Sequence, residues 1–98
     1  MATYILISSL TDEGRKTLKE RPERLAEVNK EVESMGGRIT AQYAVLGEFD
    51  FVTVLEAPSN EAVAKISVEL GSRGTLQITS IPALSISAFV DILGTSPR

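Results

Sequence analysis

The stretch from Ala44 to Leu55, AVLGEFDFVTVL, constrains this chain more than any other. Two apolar, β-favouring runs flank Gly47 to Asp50, a connection of hairpin length in which Gly47 supplies the backbone freedom of a tight reversal. A central hairpin follows. It has a strand and helix before it and a helix and strand after it, so the chain is nearly symmetric about Gly47 to Asp50.

Thr3 to Leu10 reads as a strand apolar on both faces, with Tyr4, Leu6 and Leu10 on one and Ile5 and Ile7 on the other. A strand covered on both sides looks like this. Thr11 and Asp12 can cap a helix, and Asp12 and Glu13 place acid in its first turn. Pro22 interrupts the helical pattern, which predicts a second helix with Pro22 in its first turn. Leu18, Leu25, Val28, Val32 and Met35 form one apolar stripe, and Gly36 and Gly37 end it, one of them in the left-handed cap position. Arg38 to Leu46 alternates: Ile39, Ala41, Tyr43 and Val45 share one face, Arg38, Thr40 and Gln42 the other.

Phe51 to Leu55 resembles the first strand in being apolar throughout. Ser59 caps the next helix, whose inner stripe is Ala62, Val63, Ile66 and Leu70 and whose end is Gly71. Thr75 to Ile81 alternates again, and Pro82 is expected to stop it. Ile86, Phe89, Val90 and Leu93 mark a short last helix, with residues 1–94 as one domain and a tail over 95–98.

The order β-α-β-β-α-β plus a helix predicts an α+β fold, ferredoxin-like, with a four-stranded antiparallel sheet. The doubly apolar first and third strands belong at its centre and the alternating second and fourth at its edges. Right-handed crossovers place both main helices on one side. The other side is left bare although its central strands are apolar, which predicts a homodimer through the sheet faces, a dimeric α+β barrel, with higher oligomers open.

Composition narrows the function. With 43% apolar and 23% charged residues among 98, the chain is an ordinary globular domain. A formal net charge of -3 disfavours nucleic acid, whose phosphates are bound by excess Lys and Arg. No Cys and no His leaves no thiolate nucleophile, no zinc site of the usual kind and no imidazole base. The acids are scattered over helix surfaces, so neither a metal nor another cofactor is expected. No basic leader and no apolar run of membrane-spanning length is present, which points to a cytoplasmic protein without membrane contact.

The candidate site residues are Tyr4, Gln42, Tyr43, Asp50 and Arg73. Asp50, at the mouth of the sheet, suits a base or a polar contact to a ligand, and equally a turn aspartate bonding nearby amides. Tyr43 and Tyr4 can donate hydrogen bonds into a cavity between two sheets, or be core aromatics with hydroxyls at the rim. Gln42 would line the same cavity. Arg73, between Gly71 and Gly74 at a helix end, suits a carboxylate or phosphate, but the helix C-terminus repels anions and Arg there also satisfies free carbonyls. The interrupted basic cluster Arg15, Lys16, Lys19, Arg21 and Arg24 reads as a solvated face.

The chain resembles the GYD-domain family of small bacterial proteins through Tyr4-Ile5-Leu6, Leu10 to Gly14, Arg21 to Arg24, Met35-Gly36-Gly37, Gly47 to Asp50 and Gly71 to Gly74. The family takes its name from Gly-Tyr-Asp across the hairpin; Phe49 stands here where the tyrosine is expected. The resemblance implies a dimeric α+β barrel and brings no catalytic residues. Two functions are therefore expected to compete. One is a non-catalytic module binding a small apolar ligand or a protein partner. The other, a cofactor-independent oxygenase or isomerase, would act on an apolar ring compound in the barrel cavity.

Overall fold

A computed structural model describes residues 1–94. The elements run β1 (Ala2–Leu10), α1 (Asp12–Glu20), α2 (Arg24–Ser34), β2 (Arg38–Ala44), β3 (Phe51–Ala57), α3 (Asn60–Gly71), β4 (Leu76–Ala83) and α4 (Ile86–Gly94). The strands form one sheet in the order β2-β3-β1-β4, and every neighbouring pair is antiparallel. The α+β, ferredoxin-like topology is as expected, with β1 and β3 central. The expected tail at 95–98 lies outside the described residues, and Gly94 itself closes α4.

Helix α1 starts where the Thr11 hydroxyl accepts from the Gly14 amide, and α3 where Ser59 accepts from Ala62. Each hydroxyl satisfies one of the amides that a first turn leaves without a partner. Pro22 separates two helices but sits in the turn before α2, not in its first turn, and the Leu25 amide bonds its carbonyl at 3.3 Å. Gly36 is the left-handed residue that ends α2, at φ 96°, and the Gly37 amide returns to the Val32 carbonyl at 3.1 Å.

Tyr4, Leu6, Leu55 and Ala57 from the central strands meet Val32, Val63, Ile66 and Leu70 from the helices, and Leu55 and Ile66 are fully buried. All the core lies on this one side of the sheet. Ile5, Ile7, Val52 and Val54 face the other way and are half-buried.

Three expectations about the strands change. β2 ends at Ala44, not Leu46; the Val45 amide still bonds the Asp50 carbonyl at 2.8 Å, and Leu46 is fully exposed at the turn. The register of β2 against β3 slips between Ile39 and Ala41, where Thr40 is the extra residue of a bulge. Ile39, opposite Leu55, packs on the core, whereas Ala41 and Tyr43, opposite Val54 and Val52, turn to the bare side. Pro82 does not stop β4: it pairs with Tyr4, and β4 runs on to Ala83. As the outer strand, β4 has an edge that needs no ladder donor from proline.

Helix α4 stands off this body. Ile86, Phe89, Val90, Ile92 and Leu93 are each at least half exposed. The radius of gyration, 15.4 Å, exceeds the roughly 12.6 Å of a compact chain of this length.

Candidate functional site: a cleft between helices and sheet

The two faces of the sheet present different surfaces. On the helical side α1 and α2 do not close fully onto the strands, and a cleft of about 160 Å³ remains between them. Its floor is Leu6, Ser8, Phe51, Thr53 and Gln42; Leu18, Leu25 and Val28 form its roof. Among these apolar walls, polar groups cluster at one place. The Gln42 and Asn29 side-chain amides pair reciprocally, at 2.7 and 3.2 Å, and Gln42 also donates to the Thr53 hydroxyl at 3.1 Å. The Thr40 bulge makes this possible, because it brings Gln42 round to the helical side while Tyr43 goes to the other.

Arg24 and Arg73 also line the cleft, and both are engaged by acids. Arg24 meets Glu27 at 2.8 Å and Glu31 at 3.9 Å. Arg73 donates to Glu31 and, at 3.4 Å, to Glu69. The hydrogen bond from Arg73, with the attraction of Arg73 and Arg24 behind it, holds the Glu31 carboxyl below its ordinary value and raises Arg73 in return. The cleft therefore has a charge-paired rim, not an open anion site.

Of the five candidate residues, Gln42 and Arg73 come together here, and the other three lie elsewhere. Asp50 accepts a hydrogen bond from the Leu10 amide at 2.7 Å, and its own amide donates to the Ser8 carbonyl at 2.9 Å. Tyr4 is buried on the helical side, its hydroxyl donating to Asn60 Oδ1 at 2.6 Å. Tyr43 is 62% exposed on the bare face. The two tyrosines thus point to opposite sides of the sheet and cannot share a cavity. Sequence reasoning passed over Ser8 and Thr53, the buried polar residues of the central strands. Their parity with Leu6 and Leu55 was the signal that could have found them.

No acidic side chain lines the cleft, and among the described residues no three His, Cys, Asp or Glu gather as a metal site. No described helix is long and apolar enough to cross a membrane.

The open apolar sheet face, the exposed α4 and the cleft under α1 and α2 belong to a small α+β domain. The family model for the GYD domain matches residues 4–93, and the chain belongs to that family. A relative from Thermus thermophilus, named a glutamine synthetase and cystathionine beta-lyase binding protein, is 44% identical over 91 residues, or 92% of this chain and 96% of the relative. The crystal structure of FFRP-DM1 matches 86% of this chain and 100% of its own, with a TM-score of 0.57 at 19% identity, a likeness of fold alone.

Proposed function

We propose that the protein is a non-catalytic binding module, a homodimer joined through its bare sheet faces that docks onto metabolic enzymes. The apolar sheet face carries the reading: Ile5, Val54 and Ile81 lie side by side across three strands, with Ile7, Val52 and Tyr43 beside them and all the core on the other side. Apolar area of this extent is costly to leave in water. Helix α4 adds to it, since nine residues with apolar side chains exposed all round do not form a stable helix alone.

The relative's name supports enzymes as partners, with a glutamine synthetase or a cystathionine beta-lyase the first to try. The competing reading, a cofactor-independent oxygenase or isomerase, needs a group to take a proton. The cleft offers amides, hydroxyls and paired guanidiniums, none of them suited to that task at neutral pH.

Sedimentation equilibrium and surface-immobilised binding test the two parts. A dimer at micromolar concentration and saturable binding to purified glutamine synthetase or cystathionine beta-lyase are expected. A monomer at every concentration would remove the dimer, and failure to bind either enzyme would remove the partner class.

A further inference from the structure

The cleft between helices and sheet has no part in partner docking as proposed above, and its lining side chains leave space between them. Its volume of about 160 Å³ is close to the roughly 150 Å³ of an engineered cavity that takes up benzene. A molecule built on one six-membered ring matches that volume.

The polar groups narrow the chemistry. Asn29 and Thr53 are each bonded to Gln42. Ser8 is different: it is only 8% exposed, lines the cleft, and its hydroxyl has no hydrogen-bond partner among the described residues. Every described side-chain oxygen or nitrogen that is wholly shut off does have a partner, so the Ser8 oxygen must reach the open space of the cleft. A side chain of this kind on the floor of an apolar space is the place for one polar group of a guest. Thr53 lies diagonally across the ladder, since Leu6 faces Thr53 and Ser8 faces Phe51; its hydroxyl accepts from Gln42 and keeps its own proton to donate.

The rim decides the charge. Arg24 and Arg73 are taken by Glu27, Glu31 and Glu69. An anionic guest would have to break those pairs, and a cationic one would find no acid within the lining.

We infer that the cleft between α1, α2 and the sheet binds a small neutral monocyclic molecule carrying one hydroxyl or carbonyl group, seated on the Ser8 hydroxyl. The apolar ring lies against Leu6, Leu25, Val28 and Phe51. This site stands independently of the partner-docking reading, since it lies on the opposite side of the sheet from the proposed dimer face.

Phenol is the probe, with benzene and benzoate as its apolar and charged counterparts, each titrated into the full-length protein and followed by amide NMR. Phenol is expected to shift Ser8, Thr53 and Val28, and to bind about three- to tenfold more tightly than benzene, the worth of one neutral hydrogen bond. Benzoate should bind more weakly than phenol. Ser8→Ala, which removes one oxygen and cannot clash, should bring phenol to within about twofold of benzene. No shifts at millimolar phenol, shifts confined to Ile5, Ile7 and Val54, tighter binding of benzoate, or a phenol preference that survives Ser8→Ala would each overturn the assignment.

Discussion

The Asp50 carboxylate holds the end of β1 by accepting from the Leu10 amide at 2.7 Å. Asp50 follows Phe49 in the β2–β3 connection, while Leu10 is the last residue before the cap of α1. One side chain therefore ties the central turn to the point where the first strand becomes the first helix. The Asp50 amide donates to the Ser8 carbonyl at 2.9 Å and makes the tie bidentate.

Replacing Asp50 separates a structural from a chemical role. Asp50→Asn keeps an acceptor oxygen and is expected to cost under about 1 kcal/mol, whereas Asp50→Ala leaves the Leu10 amide without its partner and should cost about 1–3 kcal/mol. Urea unfolding measures both. Equal losses would show that the hydrogen bond is not what the carboxylate contributes.

Gly14 is expected to accept no side chain at all. A Cβ there would lie 2.1 Å from the Thr75 carbonyl oxygen and 3.2 Å from Leu10 Cδ2. That carbonyl is fixed by the Thr11 amide at 3.1 Å, and the Thr11 hydroxyl binds the Gly74 carbonyl at 2.7 Å, so the helix start cannot simply move aside. Gly14→Ala should lose about 1–3 kcal/mol or more despite the better helix propensity of alanine. Thermal unfolding of the variant beside Gly71→Ala, where a Cβ meets nothing within 4 Å, provides the contrast.

On the bare face, Ile5 stands between Val54 and Ile81. If that face joins two copies, the unfolding midpoint rises with protein concentration, each tenfold step adding about 1.4 kcal/mol. Ile5→Asp places a charge where the copies meet and should give a concentration-independent midpoint and a monomer in sedimentation. A variant that remains dimeric would locate the contact elsewhere.

The Glu31 pairing with Arg73 and Arg24 predicts a pH dependence of known sign. The folded carboxyl lies below its ordinary 4.5, so its stabilisation is complete above that value and is lost as pH falls through the lowered one. Glu31→Gln should therefore destabilise the protein at neutral pH and converge with the parent in strong acid. Unfolding curves at both ends of that range check it; a constant difference would mean the loss is not electrostatic.

Much of this was legible from residue order. Thr11 and Ser59 before their helices, the Gly36-Gly37 pair after α2, and the contrast between doubly apolar and alternating strands are local signals, and local chemistry sets caps and edges. What escaped depends on partners distant in sequence. Pro82 looks like a strand end until β4 is known to be an edge. Tyr4 and Tyr43 look alike until the sheet assigns them to opposite sides. The cleft depends on how far α2 stands from β1 and β3, a distance that the spacing of Leu25, Val28 and Val32 along their own helix does not encode.

The Thr40 bulge has a consequence for how this strand can change length. Side chains on a strand alternate, so losing one residue normally inverts everything beyond the loss. In β2 the inversion is already present: Arg38, Ala41 and Tyr43 point one way and Ile39 and Gln42 the other, with Thr40 counted out of step. Excising Thr40 would leave each of those neighbours facing where it faces now, on a straighter and less twisted ribbon. The neighbouring β3 has no such slack, because its pairing with β1 runs without a slip from Phe51 to Ala57. Losing Val52 there would set Phe51 out of phase with Thr53 and Leu55, and one part of the strand would have to turn its apolar side chains away from the helices. The edge strand can thus shorten by one residue and keep its reading frame, and the central strand beside it cannot.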